Sequence, residues 1–257
     1  MNFQEFKNRV HKTFGLDLNS YKENQLERRL NNLLVRKKVA NFGELYELIV
    51  KDRSEYVKFL DYLTINVSEF FRDVKMFTVL EEKVLPELLA KSNTLKIWSA
   101  ACSIGAEPYT VALLLDQLSS GRSHQIDATD LDQTILQRAR EGMFNVDAVK
   151  NVSANRLNKY FVKQDQKYLL NQQVKNKVSF KQHDLLKDKY PQGYDLILCR
   201  NVTIYFTKEA QEKVNRRFMQ SLKTGGYLFI GGSETIFNYA ELGLQKTSPC
   251  FYKKVGQ

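Results

Sequence analysis

Residues 95–118 read LKIWSAACSIGAEPYTVALLLDQL: a short apolar run, a loop of small residues, and a second apolar run long enough to be a helix. The first run predicts a buried strand over 95–100, and the second predicts a helix over 108–119. Pro108 suits a first helical turn, where its missing N–H has no intrahelical partner to lose. Gly105 permits close approach of a ligand to the backbone. Open α/β sheets bind their ligands at such turns, at the carboxyl end of a strand. An ordinary strand-to-helix connection has the same form, however, and the loop carries neither GxGxxG nor GxxxxGK[ST]. A pyrophosphate or triphosphate therefore lacks its usual cradle.

Downstream, short apolar strands at 125–129, 177–182, 194–199 and 226–231 alternate with helices at 132–141 and 208–222. That rhythm predicts a mostly parallel sheet covered on both faces. The ending ELGLQKTSPCFYKKV, residues 241–255, holds two strand-like runs around Ser248-Pro249, which predict an antiparallel hairpin on the sheet edge. Residues 142–176 are too long for an ordinary connection and predict a small inserted subdomain. Upstream, residues 1–90 show helical periodicity. Leu26, Leu30, Leu33 and Leu34 form one apolar stripe, leaving Arg28, Arg29, Arg36, Lys37 and Lys38 for other faces. Helical stretches follow at 42–51, 54–64 and 74–89, and Ser92-Asn93 is a polar break. The expected organisation is a helical domain over 1–90 and an α/β domain over 91–257.

At 257 residues and 43% hydrophobic content the chain can bury a sizeable core. Its longest apolar runs, such as Val111 to Leu115, fall far short of the roughly 20 residues that cross a bilayer. The start, MNFQEFKNRVHKTFG, lacks the apolar core and cleavage site of a secretory signal, so a cytoplasmic location without membrane insertion is expected. Cys102, Cys199 and Cys250 are odd in number and widely spaced, which suits a reducing compartment and gives no paired zinc spacing. No metal is expected. The formal charge of +10 is concentrated: 21–38 holds six basic and two acidic residues, and 142–183 holds eight basic residues against Asp147 and Asp165. A solvated surface accounts for both segments, and so does an acidic partner, protein or nucleic acid.

The strand ends carry candidates for chemistry. Asp130, in ATDLD, lies 25 residues past Gly105, a spacing at which a carboxylate takes both hydroxyls of a ribose. A helix N-cap is the competing role for Asp130 or Asp132. In HDLL, Asp184 or its neighbours face an adenine edge, and in YDLILCRNVTIYF, Asn201, Val202 and Tyr205 leave a strand toward the same crevice. A nucleoside held by acids and backbone, without phosphates, points to S-adenosyl-L-methionine.

Five segments, in order, sharpen this: LTINVSEFFRD (63–73), IWSAACSIGAEPYT (97–110), ATDLDQTILQRAREGMF (128–144), DLILCRNVTIYF (195–206) and GGYLFIGGSE (225–234). Together they resemble the CheR family of chemotaxis methyltransferases, which esterify glutamates on chemoreceptors. The resemblance covers nearly the whole chain. It implies a class I, Rossmann-like S-adenosylmethionine-dependent fold with an antiparallel C-terminal hairpin, preceded by a small all-α domain and carrying a small inserted subdomain. It also implies protein-glutamate O-methyltransferase activity in chemotactic adaptation, with S-adenosyl-L-homocysteine as product. By the same resemblance Asn66, Ser68 and Arg72 contribute to the cofactor and active site, and Asp130 holds the ribose. Asp184 and Leu185 lie by the adenine, and Asn201 with Val202 completes the pocket. Tyr205 aligns with a tyrosine next to the transferred methyl. Where family members often carry Gly-Glu-Glu-Pro-Tyr, this chain has Gly105-Ala106-Glu107-Pro108-Tyr109. A glutamate expected to meet the cofactor's amino group is thus missing at Ala106, and either Glu107 substitutes or affinity is lower.

A glutamate side chain is already an anion at neutral pH, since its ordinary pKa is about 4.3. The implied reaction needs no general base; it needs a desolvated, well-aimed carboxylate. Arg72 and Tyr205 are the expected catalytic residues, orienting the glutamate or the methionine end of the cofactor, while Phe70 and Phe71 wall off water and fix the backbone. A surface ion pair with Asp73 or Glu69 is the competing role for Arg72. The implied partner is the acidic cytoplasmic helical bundle of chemoreceptors, met by the basic helix at 21–38 and the subdomain at 142–176. In some relatives that subdomain binds a receptor C-terminal pentapeptide; here it is short and poor in glycine after Gly142, so a monomer independent of the pentapeptide is expected. Two alternatives remain. An RNA methyltransferase would account for the charge but lacks an Asn-Pro-Pro-Tyr motif, and a non-catalytic sensor of cofactor or nucleotide rests on Ala106 alone.

Overall fold

In the computed structural model, which describes residues 1–64 and 68–256, the chain begins with helices α1 (Phe3–Phe14), α2 (Glu23–Lys37), α3 (Phe42–Lys51) and α4 (Arg53–Thr64). Next come α5 (Val74–Val79) and α6 (Leu85–Lys91), joined through a π-helical turn over Leu80–Val84. The sheet domain starts with β1 (Lys96–Ala100), α7 (Ala106–Leu118), β2 (Gln125–Asp130) and α8 (Gln133–Glu141). An insertion then contributes β3 (Met143–Asn145), α9 (Val146–Val149), α10 (Ala154–Tyr160), β4 (Phe161–Gln164), β5 (Lys167–Leu170) and α11 (Gln172–Lys175). The chain returns through β6 (Val178–Gln182), β7 (Tyr194–Cys199), α12 (Lys208–Ser221), β8 (Leu222–Ile230), β9 (Leu244–Ser248) and β10 (Phe251–Lys254).

The main sheet has the order β6-β2-β1-β7-β8-β10-β9. Its first five strands are parallel, and the β9–β10 hairpin adds to β8 in antiparallel fashion, as the sequence predicts. β8 begins earlier than expected, at Leu222 rather than 226. Its register on β7 shifts beside Tyr194. At Gly226 a Cβ would stand 3.0 Å from the Asp195 carbonyl oxygen and 3.1 Å from that of Tyr194, so glycine lets the strand cross the irregularity.

Buried side chains cover both faces of this sheet. α7 is buried along most of its length, including Ala106, Tyr109 and Val111 to Leu115, because it lies between the sheet and the insertion. On the opposite face Trp98 is fully buried against α12, and its indole N–H donates to Thr129 Oγ1 at 2.9 Å. The insertion forms a separate antiparallel sheet, β3-β5-β4. The N-terminal helices have their own apolar cluster, from Phe3 to Leu63. From Phe70 onward, including Phe77, Leu80 and Leu88 of the next helices, buried side chains belong to the sheet's cluster. The polar break at 92–93, which the sequence suggests as a domain boundary, therefore lies inside the sheet's packing unit. Helical periodicity marks an apolar face without saying which core receives it.

The helical region is seamed to the sheet by backbone. The Lys22 N–H donates to the Tyr205 carbonyl and the Thr207 N–H to the Ser20 carbonyl, both at 2.9 Å, and Tyr21 packs edge-on against Phe206.

Candidate active site

The strand order reverses between β1 and β7, and a cavity opens there at the carboxyl ends of the strands, where the doubly wound fold leaves a crevice. Ser68, Arg72, Glu107, Asp130, Asp184, Leu185, Asn201, Val202 and Tyr205 all line it. Asn66 lies outside the described residues. Gly105 and Ala106 stand behind the wall. Gly105, at φ 83°, makes the turn into α7, and a Cβ there would meet Ala139, Tyr109 and Phe180 at 3.1–3.2 Å. Ala106 is fully buried in the apolar cluster. A glutamate at 106 would enter that cluster, and the acid facing the cavity from this turn is Glu107.

At one end of the cavity, β2 delivers Asp130. Its Oδ2 accepts the Ser103 N–H at 2.8 Å and its Oδ1 the Asp132 N–H at 3.1 Å. Burial nevertheless raises its pKa to about 6, with Asp132 adding like charge. The two roles open for these acids separate cleanly. Asp132 Oδ1 accepts from the Thr134 and Ile135 N–H groups and caps α8, while Asp130 faces the cavity. Beyond β6, Asp184 also lies at the wall, its pKa raised by burial, with Oδ1 accepting the Leu186 N–H.

The other end is built from loops with strained backbone. Phe71, Asp73, Ala101 and Asn201 all have positive φ, between 52° and 64°, and Ser103, beside Asp130 at the strand end, has φ 50°. Each such residue costs about 1–3 kcal/mol and persists only where its surroundings hold it. Phe70 and Phe71 supply part of that hold. They do not line the cavity, so the expected water barrier is corrected: Phe70 packs edge-on to Phe144 and Phe161 of the insertion, and Phe71 to Phe77. Burying each ring stabilises by about 2–3 kcal/mol, enough to offset the turn between them and Arg72. The Phe70 N–H also donates to the Ala148 carbonyl at 2.8 Å. The acids considered as partners for Arg72 have other bonds: Asp73 to Arg200 and Glu69 to Lys150.

Arg200 and Glu234 had no role in the sequence reading. The Arg200 guanidinium is buried, stacks on Phe229 and Phe77, and donates to the Arg72 carbonyl at 2.9 Å and Asp73 Oδ2 at 2.5 Å. It reaches Glu107 Oε2 at 3.5 Å, and Glu107 Oε1 accepts from Ser99 Oγ at 2.7 Å. Burial raises the Glu107 pKa, against the lowering effect of Arg200. Arg200 thus ties the end of β7 to the loop carrying Arg72. The only sequence signal was its place beside Asn201. Glu234, in the GGSE segment, binds the turn after β7.

Asn201 Oδ1 is buried at this wall and lacks a hydrogen-bond partner among the described residues. Leaving such an acceptor dry costs about 1–3 kcal/mol, which a donor on a bound molecule would relieve. An acceptor at one end and a carboxylate placed for a diol at the other fit the amino-acid and ribose parts of S-adenosyl-L-methionine.

The strand order, the antiparallel hairpin and the cavity at the switch point define the class: a Rossmann-like, S-adenosylmethionine-dependent methyltransferase. Within it the chain belongs to the CheR methyltransferase family. Residues 1–64 match the family's all-alpha domain and residues 66–249 its SAM binding domain. The chain is 42% identical to a chemotaxis protein methyltransferase of Listeria monocytogenes over 246 residues, covering 95% of this chain and 94% of that protein. It is 35% identical to one from Borreliella burgdorferi, covering 95% and 91%, and 36% identical to chemotaxis protein methyltransferase 1 of Pseudomonas aeruginosa, covering 92% and 90%.

Proposed function

We propose that this chain methylates glutamate side chains of chemoreceptors, forming methyl esters. One observation carries the reading: a single cavity has acids at its strand end and Arg72 with Tyr205 at its loop end, and Tyr205 also borders a groove lined by Lys22, Arg28 and Arg29. S-adenosyl-L-methionine, when bound, supplies an electrophilic sulfonium methyl and leaves as S-adenosyl-L-homocysteine. Asp130 would accept from the ribose hydroxyls, Asp184 and Leu185 would border the adenine, and Glu107 and Asn201 would face the amino-acid end. Arg72, with a planar fork of donors, would hold the incoming carboxylate beside Tyr205. The acceptor is already ionised, so these residues have only to aim it and strip its water.

Recognition would run through α2. Arg28 is exposed on it, whereas Arg29 turns inward to the Tyr62 carbonyl and Lys37 pairs with Glu55. The insertion offers less charge than its composition suggests, because Lys150 pairs with Glu69, Arg156 with Glu81, and Lys159 and Lys177 with Asp116. The receptor bundle would therefore be met mainly by α2 rather than by the insertion. Incubation with methyl-labelled cofactor and either receptor cytoplasmic fragments or RNA tests the proposal. Base-labile label on the receptor fragment is expected; label on RNA, or cofactor binding without transfer to receptor, would overturn it.

A further inference from the structure

Asn201 and Val202 leave β7 with φ of 60° and −119°, so that successive backbone N–H groups converge on one point. Such a concavity attracts an anion. Here the anion is part of the chain. Glu234 Oε2 accepts the N–H groups of Asn201 at 2.8 Å and Gly231 at 2.7 Å. Its Oε1 accepts the N–H groups of Val202 at 3.0 Å and Thr203 at 2.8 Å, and the Thr203 hydroxyl at 2.7 Å. Glu234 is 9% exposed. Gly231 is shaped for the same contact: a Cβ there would stand 2.8 Å from the Asn201 nitrogen and 2.8 Å from Glu234 Oε2. The turn so held continues into the 3-10 helix Thr203–Tyr205, whose last residue borders the cavity.

We propose that Glu234 is a positioning residue for methyl transfer, folding the turn that aims Asn201 and Tyr205 into the cavity. The proposal rests on the cofactor assignment above. Glu234 does not line the cavity, so it acts through the turn. An acid is needed rather than an amide of the same shape, since every partner of the two carboxylate oxygens is a donor. Glu234→Gln would set an NH2 group against at least two N–H groups, releasing the strained Asn201 backbone while leaving the sheet in place.

The test is steady-state kinetics of the full chain with receptor fragment as acceptor, together with the thermal midpoint and the affinity for S-adenosyl-L-homocysteine. For Glu234→Gln the expected result is a tenfold or greater rise in KM for the methyl donor and in Kd for the product, with a lower kcat as Tyr205 loses its aim. Glu87→Gln is the comparison. That carboxylate accepts from Lys91, Lys253 and Tyr227 and lines no part of the cavity, so its loss should lower the thermal midpoint with both KM values unchanged. A Glu234→Gln enzyme that loses thermal stability but keeps a wild-type donor KM would overturn the proposal. If that variant does not fold, Thr203→Val, which removes only the hydroxyl donor, decides: a severalfold rise in donor KM supports the role, and a wild-type value overturns it. A wild-type chain with no affinity for the product would sink the functional assignment, and the positioning role with it. A normal wild type beside an unaffected variant would sink only the positioning role.

Discussion

The two ends of the cavity are made differently. At the strand end Asp130 extends β2 and needs only its neighbours on adjacent loops, Ser103 and Asp132, to set it. At the loop end Arg72, Asn201 and Tyr205 sit on or beside irregular backbone, and buried charges brought from distant positions hold it: Arg200 reaches back to Arg72 and Asp73, and Glu234 to residues 201–203. A strand end is rigid because the sheet already is. Loops can be brought to equal order only by bonds that offset their strain. The contrast suits a site that holds one molecule by its nucleoside and must aim another at its far end.

The sharpest way to break this division is Arg72→Ala. If Arg72 holds the acceptor carboxylate rather than the cofactor, kcat/KM should fall on the order of 10³-fold. Product affinity and thermal midpoint should stay close to wild type, as calorimetry would show. A variant that lost product binding and kept turnover would place Arg72 on the cofactor rather than on the acceptor.

Asp130→Asn probes the other end and should act on binding. If Asp130 accepts from the ribose diol, losing that charged acceptor costs about 1.5–3 kcal/mol, or roughly 10- to 100-fold in product affinity. The pH dependence sharpens the point. In the folded chain the Asp130 carboxyl titrates near 6, above its ordinary value of 3.8. The native state therefore holds the proton more tightly than the unfolded chain does, and stability falls as pH rises between these values, by up to about 3 kcal/mol. Asparagine removes that penalty but meets one backbone N–H with its own NH2, returning about 1 kcal/mol. Asp130→Asn should thus be the more stable protein at pH 7 and lose that advantage below pH 4, by thermal unfolding at each pH. Wild-type affinity for the product should rise about tenfold from pH 5 to pH 7, following the ionised fraction of a group near 6, and the variant's should stay flat.

The same contrast explains what could be seen in the sequence. The strands and the terminal hairpin follow from apolar runs, the insertion from the length of its connection, and Asp130 and Asp184 from acids at strand ends, which are local patterns. Ser68 and Arg72 follow only from the family resemblance. Arg200 and Glu234 could not be found that way, because the bonds by which they hold residues 72–73 and 201–203 span 127 or 128 and 31 to 33 residues. Phe70 and Phe71 are visible as aromatic residues, but only the fold shows that Phe70 faces the insertion and Phe71 faces Phe77 of α5, rather than the cavity. At Ala106 the missing acid looked like a lost contact, until burial showed that the position faces the core.

Outside the cavity the effects should be smaller and should depend on salt. Arg28 is exposed on α2 beside the groove that leads to Tyr205, whereas Arg29 is half-buried and bonded to the Tyr62 carbonyl. If α2 meets an acidic receptor helix, Arg28→Glu should raise the acceptor KM about fivefold at low ionic strength. The difference should fade as salt shortens the screening length from about 10 Å at 0.1 M toward a few ångströms. Neither kcat nor donor KM should change, and an exposed substitution should move stability by no more than about 0.5 kcal/mol. Arg29→Ala, by contrast, should lower the thermal midpoint, since it removes a bond between helices. An Arg28→Glu effect that persisted at high salt would place the residue in a direct, desolvated contact and make the acceptor groove part of the site rather than its approach.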